Sequence, residues 1–136
     1  MAHILMIDDN PQNQRYIERI VRHRTHHEIV FAGDSKEGIE KMVARRPDII
    51  FLDLFIPGVD GFDFFKILRR HPATASIPIV IHTAVPLDQI TQIRLRRVPF
   101  DGFLEFPVEA SQLIGAIDRA LQRNAGPMRK WVPPSV

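Results

Sequence analysis

Two hydrophobic rhythms take turns along the chain. Short, almost unbroken apolar runs read as buried strands: Ile4–Ile7, Asp48–Leu52, Pro78–Thr83 and Phe103–Phe106. Each is too short for an ordinary helix and apolar on both faces, as a covered strand must be. A fifth run, Glu28–Ala32, is more polar and reads as an edge strand. Between these runs apolar residues recur at helical spacing. The stripes are Ile17, Ile20 and Val21; then Ile39, Met42 and Val43; then Phe64, Phe65 and Leu68; then Ile90 and Ile93 in a weaker helix about Leu87–Arg97; and last Leu113, Ile114, Ile117, Ala120 and Leu121 within Glu109–Arg123.

Start and stop residues agree with this division. Asn10 can cap the first helix, with Pro11 in the first turn, where proline loses no hydrogen bond. Asp34 with Glu37 resembles a capping pair, and Asp60 is placed to cap the third helix. Pro47 stops the second helix, and Asn124, Gly126 and Pro127 terminate the last. Strands alternating with helices imply parallel pairing through right-handed crossovers. The expected fold is a three-layer α/β/α sandwich around a five-stranded parallel sheet. It forms one domain over residues 1–124, followed by a tail, 125–136, whose Trp131 either packs back or contacts a partner.

The strands end in polar residues. Asp8 and Asp9 close the first, Asp53 the third and Thr83 the fourth, with Asp60 just beyond in the loop and helix start. Carboxylates are costly to bury, so their gathering at strand ends points to a shared site at one edge of the sheet, where open α/β sheets bind ligands.

Composition adds exclusions. The 136 residues are 45% apolar and 25% charged, which fits an ordered domain. Cysteine is absent, so disulfides and thiolate metal sites are excluded. No apolar run could span a bilayer and no signal-peptide pattern opens the chain; a soluble, cytoplasmic protein is expected. The net charge of +2 comes with arginine clusters at Arg22/Arg24, Arg45-Arg46, Arg69-Arg70, Arg96-Arg97 and Arg119/Arg123. All fall near helix C-termini, where the macrodipole favours cations, so no nucleic-acid partner is needed to account for them.

The order and placement of Asp8-Asp9, of Asp53 with Pro57 and Gly61, of Thr83-Ala84 and of Phe103-Leu104-Glu105-Phe106-Pro107 resemble the receiver domain of two-component response regulators. The resemblance covers about residues 3–123 and implies a flavodoxin-like sheet of order 2-1-3-4-5. It implies that Asp53 accepts a phosphoryl group from a sensor histidine kinase or phosphotransfer protein. Asp9, helped by Asp8, would bind Mg²⁺ together with Asp53 and the backbone carbonyl of Phe55. Thr83, with Ala84 beside it, matches the hydroxyl that meets the phosphoryl group, and Phe103 matches an aromatic switch position. Output would be protein–protein contact through the fourth helix, fifth strand and fifth helix, from a monomer or weak homodimer, with no membrane and no direct nucleic-acid binding.

The chemistry stands without the family. Phosphoryl transfer needs an in-line nucleophile and positive charge near the equatorial oxygens. Neighbouring carboxylates repel one another until a cation enters, and a hard ion with oxygen ligands suits them.

One position departs from the pattern. The family usually carries lysine before the proline that follows strand five; here that residue is Phe106. A strand shift by one would substitute Glu105, which is electrostatically worse, and Lys66 and Lys130 are remote. Two readings follow: Mg²⁺ carries most of the neutralisation and Asp53 is still phosphorylated, or the chain is a pseudo-receiver that binds partners without a phosphate switch.

Other residues have blander expectations. His82 should be a packed strand histidine facing away from Thr83. His23, His26 and His27 read as exposed loop histidines, and Phe62, Phe64 and Phe65 as core with one exposed ring. The family pattern implies that a cis bond can precede Pro107. Phe55 and Val85 cannot orient an attacking water, so slow self-hydrolysis of an acyl phosphate is expected. A flavin-binding or hydrolytic enzyme ranks low, since there is no Gly-rich phosphate loop and no Ser-His-Asp set in strand–turn context.

Overall fold

The computed structural model describes residues 1–125, with side chains to residue 122; the tail and Trp131 lie outside the described residues. Five strands and five helices alternate: β1 His3–Ile7, α1 Pro11–Arg24, β2 Glu28–Ala32, α2 Ser35–Ala44, β3 Ile49–Asp53, α3 Gly61–Arg70, β4 Ile79–Thr83, α4 Gln89–Arg96, β5 Gly102–Glu105 and α5 Ala110–Ala125. The strands pair in parallel in the order β2-β1-β3-β4-β5, with β2 on the edge as expected. Register is set by apolar cross-strand pairs, Met6 beside Phe51 and Phe51 beside Val80.

Side chains alternate between two buried layers. Ile4, Met6, Ile49, Phe51, Val80 and Leu104 face α1 and α5. Leu5, Ile7, Ile50, Leu52, Ile79 and Ile81 face the layer that includes α3 and Leu95 of α4. The expected caps form: Asn10 accepts from the N–H groups of Gln12 and Asn13, Asp34 from Glu37, and Asp60 from Phe62 and Asp63. Capping by Asp60 fixes where α3 begins, just past the phosphoacceptor candidate. Gly61 is required there by close approach, because a Cβ would stand 2.6 Å from the Leu54 carbonyl oxygen.

Two helices are oriented differently from their expected apolar stripes. In α2, Ile39 and Val43 are exposed, Met42 is half-buried and Gly38 is the buried residue. Gly38 lies against Ile7 closely enough that an added Cβ would meet Cδ1 at 2.9 Å. The helix approaches the sheet on its small-residue side, which a stripe of large residues hides. In α4, Ile90 and Ile93 point outward and Leu95 inward, on a stripe with Leu87 and Thr91. Thr91 is polar by class, so that stripe went unread.

The phenylalanines of α3 also differ from expectation. Phe62, Phe64 and Phe65 are all buried, with no exposed ring. Arg94 of α4 covers the Phe62 ring at 4.2 Å, and Arg69 lies 5.0 Å from the Phe65 centroid. Arg69 departs from its neighbours at helix ends: it is buried, donates to the Ile77 carbonyl at 2.6 Å and pairs with Asp101 at 2.8 Å. Of the loop histidines, His23 and His26 are exposed, whereas His27 is half-buried and accepts from the Ala2 N–H. No described helix is long and apolar enough to cross a membrane.

Candidate functional site

The parallel strands deliver the polar residues to the C-terminal edge of the sheet. Asp8 follows β1 directly, and Asp53 and Thr83 are the last residues of β3 and β4. Asp8 is fully buried and heavily bonded: Oδ1 accepts from the Asn10 N–H at 2.8 Å, and Oδ2 from Asn13 Nδ2 at 3.2 Å. Its third partner is His82. The Nε2 of His82 lies 3.0 Å from Asp8 Oδ2, with both side chains fully buried. Burial pushes the Asp8 carboxyl up, but the bonds from His82 and Asn10 outweigh it and leave it below the ordinary aspartate range.

Asp53 is in the opposite condition. It is also buried, yet among the described residues its one hydrogen bond is from the Phe55 N–H to Oδ1, at 3.0 Å. Burial raises its carboxyl above the ordinary range; the Phe55 N–H and His82 oppose the shift, and the nearby charges of Asp8 and Asp9 add to it. Asp8, Asp53 and His82 place one ligand atom each within 4.8 Å of one another. Asp9 is exposed and lies outside that trio, where its charge still reaches Asp53. Phe55 projects into solvent at 50% exposure, leaving its backbone beside Asp53. Carboxylate oxygens that repel each other, one with a raised pKa, fit a hard divalent cation.

The remaining positions sort by strand parity. Phe106 is buried on the α1/α5 face, the same face as Asp53 and His82, while Glu105 is exposed. No shift brings Glu105 to the lysine position. The Phe106 N–H donates to the Thr83 carbonyl at 2.7 Å, and the Phe106–Pro107 peptide is cis. Thr83 is buried; its hydroxyl accepts from the Val85 N–H at 3.1 Å and lies 3.2 Å from the Val85 carbonyl. Ala84 and Val85 are exposed. Phe103 is half-buried on the opposite layer, tilted against Phe100 with centroids 6.5 Å apart.

His82 is the residue that sequence reasoning undervalued. It faces away from Thr83 as expected, but that face is the one Asp53 occupies, since Asp53 and His82 are register partners. It is therefore part of the acid cluster and more than strand packing. Its ring stacks on Phe106 with centroids 4.6 Å apart and planes 17° from parallel. The available signal was parity: Asp53 and His82 each end an apolar run on the same sheet face.

Residues 4–118 match the response regulator receiver domain family. The chain belongs to this family. As a receiver it is a signalling module of two-component systems. It is 28% identical over 122 residues to the protein PilH of Pseudomonas aeruginosa, covering 89% of this chain and 98% of PilH. It is 32% identical to the DNA-binding dual master transcriptional regulator RpaA of Synechocystis, covering 91% of this chain but 51% of RpaA. This receiver thus spans nearly all of one relative and about half of the other. Its fold is shared with the receiver domain of the sensor histidine kinase PA1611 of P. aeruginosa, at a TM-score of 0.77 and 24% identity over 89% of this chain and 98% of that one. That structure holds a magnesium ion in its active-site cleft.

Proposed function

We propose that this receiver accepts a phosphoryl group on Asp53 and signals through protein contacts. The observation that carries the reading is the state of Asp53, a buried carboxylate at a strand end with a raised pKa and, among the described residues, a single hydrogen bond. Burial disfavours its bare anion, and an incoming cation would offset that cost. Asp9, Asp53 and the Phe55 carbonyl, backed by Asp8, would hold Mg²⁺, which when bound supplies positive charge against the phosphoryl oxygens.

In the transfer, an Asp53 carboxylate oxygen forms a bond to phosphorus as the donor's P–N bond breaks. The electron pair leaves with the donor imidazole, which takes up a proton. The donor is a histidine kinase or phosphotransfer protein. Thr83 would turn toward the phosphoryl group, exchanging its bonds to Val85, and Phe103 would repack with it, biasing the face of α4, β5 and α5. Exposed Ile90 and Ile93 make that face suited to a protein partner.

Phe106 in place of lysine favours a second reading, an interaction module without a phosphate switch. Incubation with a small phosphodonor and Mg²⁺, followed by intact-mass measurement, separates the two. The first reading expects one added phosphoryl group on the wild type and none on Asp53→Asn. An unmodified wild type, together with partner binding unchanged by Asp53→Ala, supports the second.

A further inference from the structure

One ring in the acid cluster is bonded to Asp8 and stands close to Asp53 as well. His82 ends the reach of β4 across β3: its backbone pairs with Asp53, while its Nε2 bonds to Asp8 beyond. Its Nδ1 has no hydrogen-bond partner among the described residues, so Nε2 is the polar edge in use. A carboxylate oxygen accepts, so the hydrogen of this bond is assigned to Nε2, which donates to Asp8. Among the described residues no lysine or arginine forms an ion pair with Asp8 or Asp53.

We propose that His82 supplies, from β4, the donor that this site lacks at Phe106: its Nε2–H holds Asp8 and, once Asp53 is phosphorylated, a phosphoryl oxygen. The proposal rests on Asp53 being the phosphoacceptor. Three features argue for it. The nitrogen lies inside the cluster, within 4.8 Å of both carboxylates' ligand atoms. The phosphoryl group adds negative charge beside Asp8 and Asp9 in a buried setting, where a fixed donor has its largest effect. And Phe106 acquires a purpose. A nearly parallel ring at 4.6 Å fixes the imidazole plane and thereby the direction of Nε2. The aromatic residue at 106 and the histidine at 82 thus form one unit, and the apparent defect on β5 is the platform for the donor on β4.

The test uses the full chain with acetyl phosphate and Mg²⁺, following intact mass over time. Three variants accompany the wild type: His82→Leu, which keeps bulk without a donor; His82→Gln, whose amide nitrogen can stand near Nε2; and the double variant His82→Leu/Phe106→Lys, which returns a donor from β5. Loss of one charge-assisted hydrogen bond predicts labelling roughly tenfold to a hundredfold slower for His82→Leu. His82→Gln should stay close to wild type, and the double variant should regain most of the lost rate. Thermal melts of each variant identify folded protein, and rescue by a relocated donor would not follow from packing alone. Equal rates for wild type and His82→Leu overturn the proposal while leaving Asp53 as acceptor. So does a folded double variant as slow as His82→Leu. A wild type that takes no phosphoryl group overturns the Asp53 reading and this proposal together.

Discussion

Two clusters of buried charge sit at opposite ends of the same strands. At the entry to β4 and β5, Arg69 bonds the Ile77 carbonyl and Asp101, and Asp101 accepts in turn from the Ile79 N–H at 2.8 Å. The cation and the anion meet directly, and both are tied to backbone. At the exit of β1, β3 and β4, two buried carboxylates gather around an imidazole that bonds Asp8, with Asp9 adding charge from the rim. The first cluster is balanced and belongs to the architecture, joining α3 to the turn before β5. The second carries an excess of acid, concentrated on Asp53. Balance marks a structural ion pair; an uncompensated group on rigid strands marks a place for something to bind.

The largest effect should come from breaking the balanced end. Arg69→Leu removes a buried guanidinium that bonds both Asp101 and the Ile77 carbonyl and should cost about 3 kcal/mol in urea unfolding, while phosphoryl acceptance at the far edge stays near wild type. Loss of labelling in a folded Arg69→Leu protein would show that the two ends are not separable in this way.

Asp8 should be next. Asp8→Ala removes the acceptor for Asn10, Asn13 and His82 and should cost about 2 kcal/mol. Its pH dependence has a definite sign. The folded carboxyl lies below its unfolded value, so its stabilisation is complete above the ordinary aspartate range and is lost as pH falls through the lowered folded value. The wild type should therefore lose an increment of stability in that acid window that Asp8→Ala lacks. Parallel stability curves for the two proteins there would contradict the assignment.

These two ends differed in how well they could be read from sequence. Asp8, Asp53 and Thr83 were legible because an acid or hydroxyl closing an apolar run is a strong signal, and strand period places such residues at a common edge. His82 belongs to the same edge, but its place inside an apolar run points only to packing. Its partner depends on the β3–β4 register, which is a property of the paired sheet and not of either strand alone. Arg69 was read as one more cation at a helix end. Nothing local distinguishes it from exposed Arg70; burial depends on Asp101, 32 residues away. The same reason explains α2 and α4. A stripe of large apolar residues shows that a helix has a face, but Gly38 in α2 and Leu95 in α4 are the residues turned inward.

The smallest effects are expected at the outward residues of those helices. Val43→Ser and Ile90→Ser, at 83% and 73% exposure, should each change stability by no more than about 0.5 kcal/mol. A larger loss on urea unfolding would mean these side chains are covered.

The central claim, that Asp53 carries an acid excess awaiting a cation, is tested most directly by the thermal midpoint of the wild type and Asp53→Asn against Mg²⁺ concentration. The folded carboxyl of Asp53 lies above its unfolded value, so its contribution to stability is lost as pH rises through that folded value. At neutral pH without metal, Asp53→Asn should be the more stable protein. Mg²⁺ should raise the wild-type midpoint, by an amount equivalent to about 2.7 kcal/mol at a hundred times its dissociation constant, and leave the variant nearly unmoved. A wild type indifferent to millimolar Mg²⁺, or a variant that responds equally, would contradict the account.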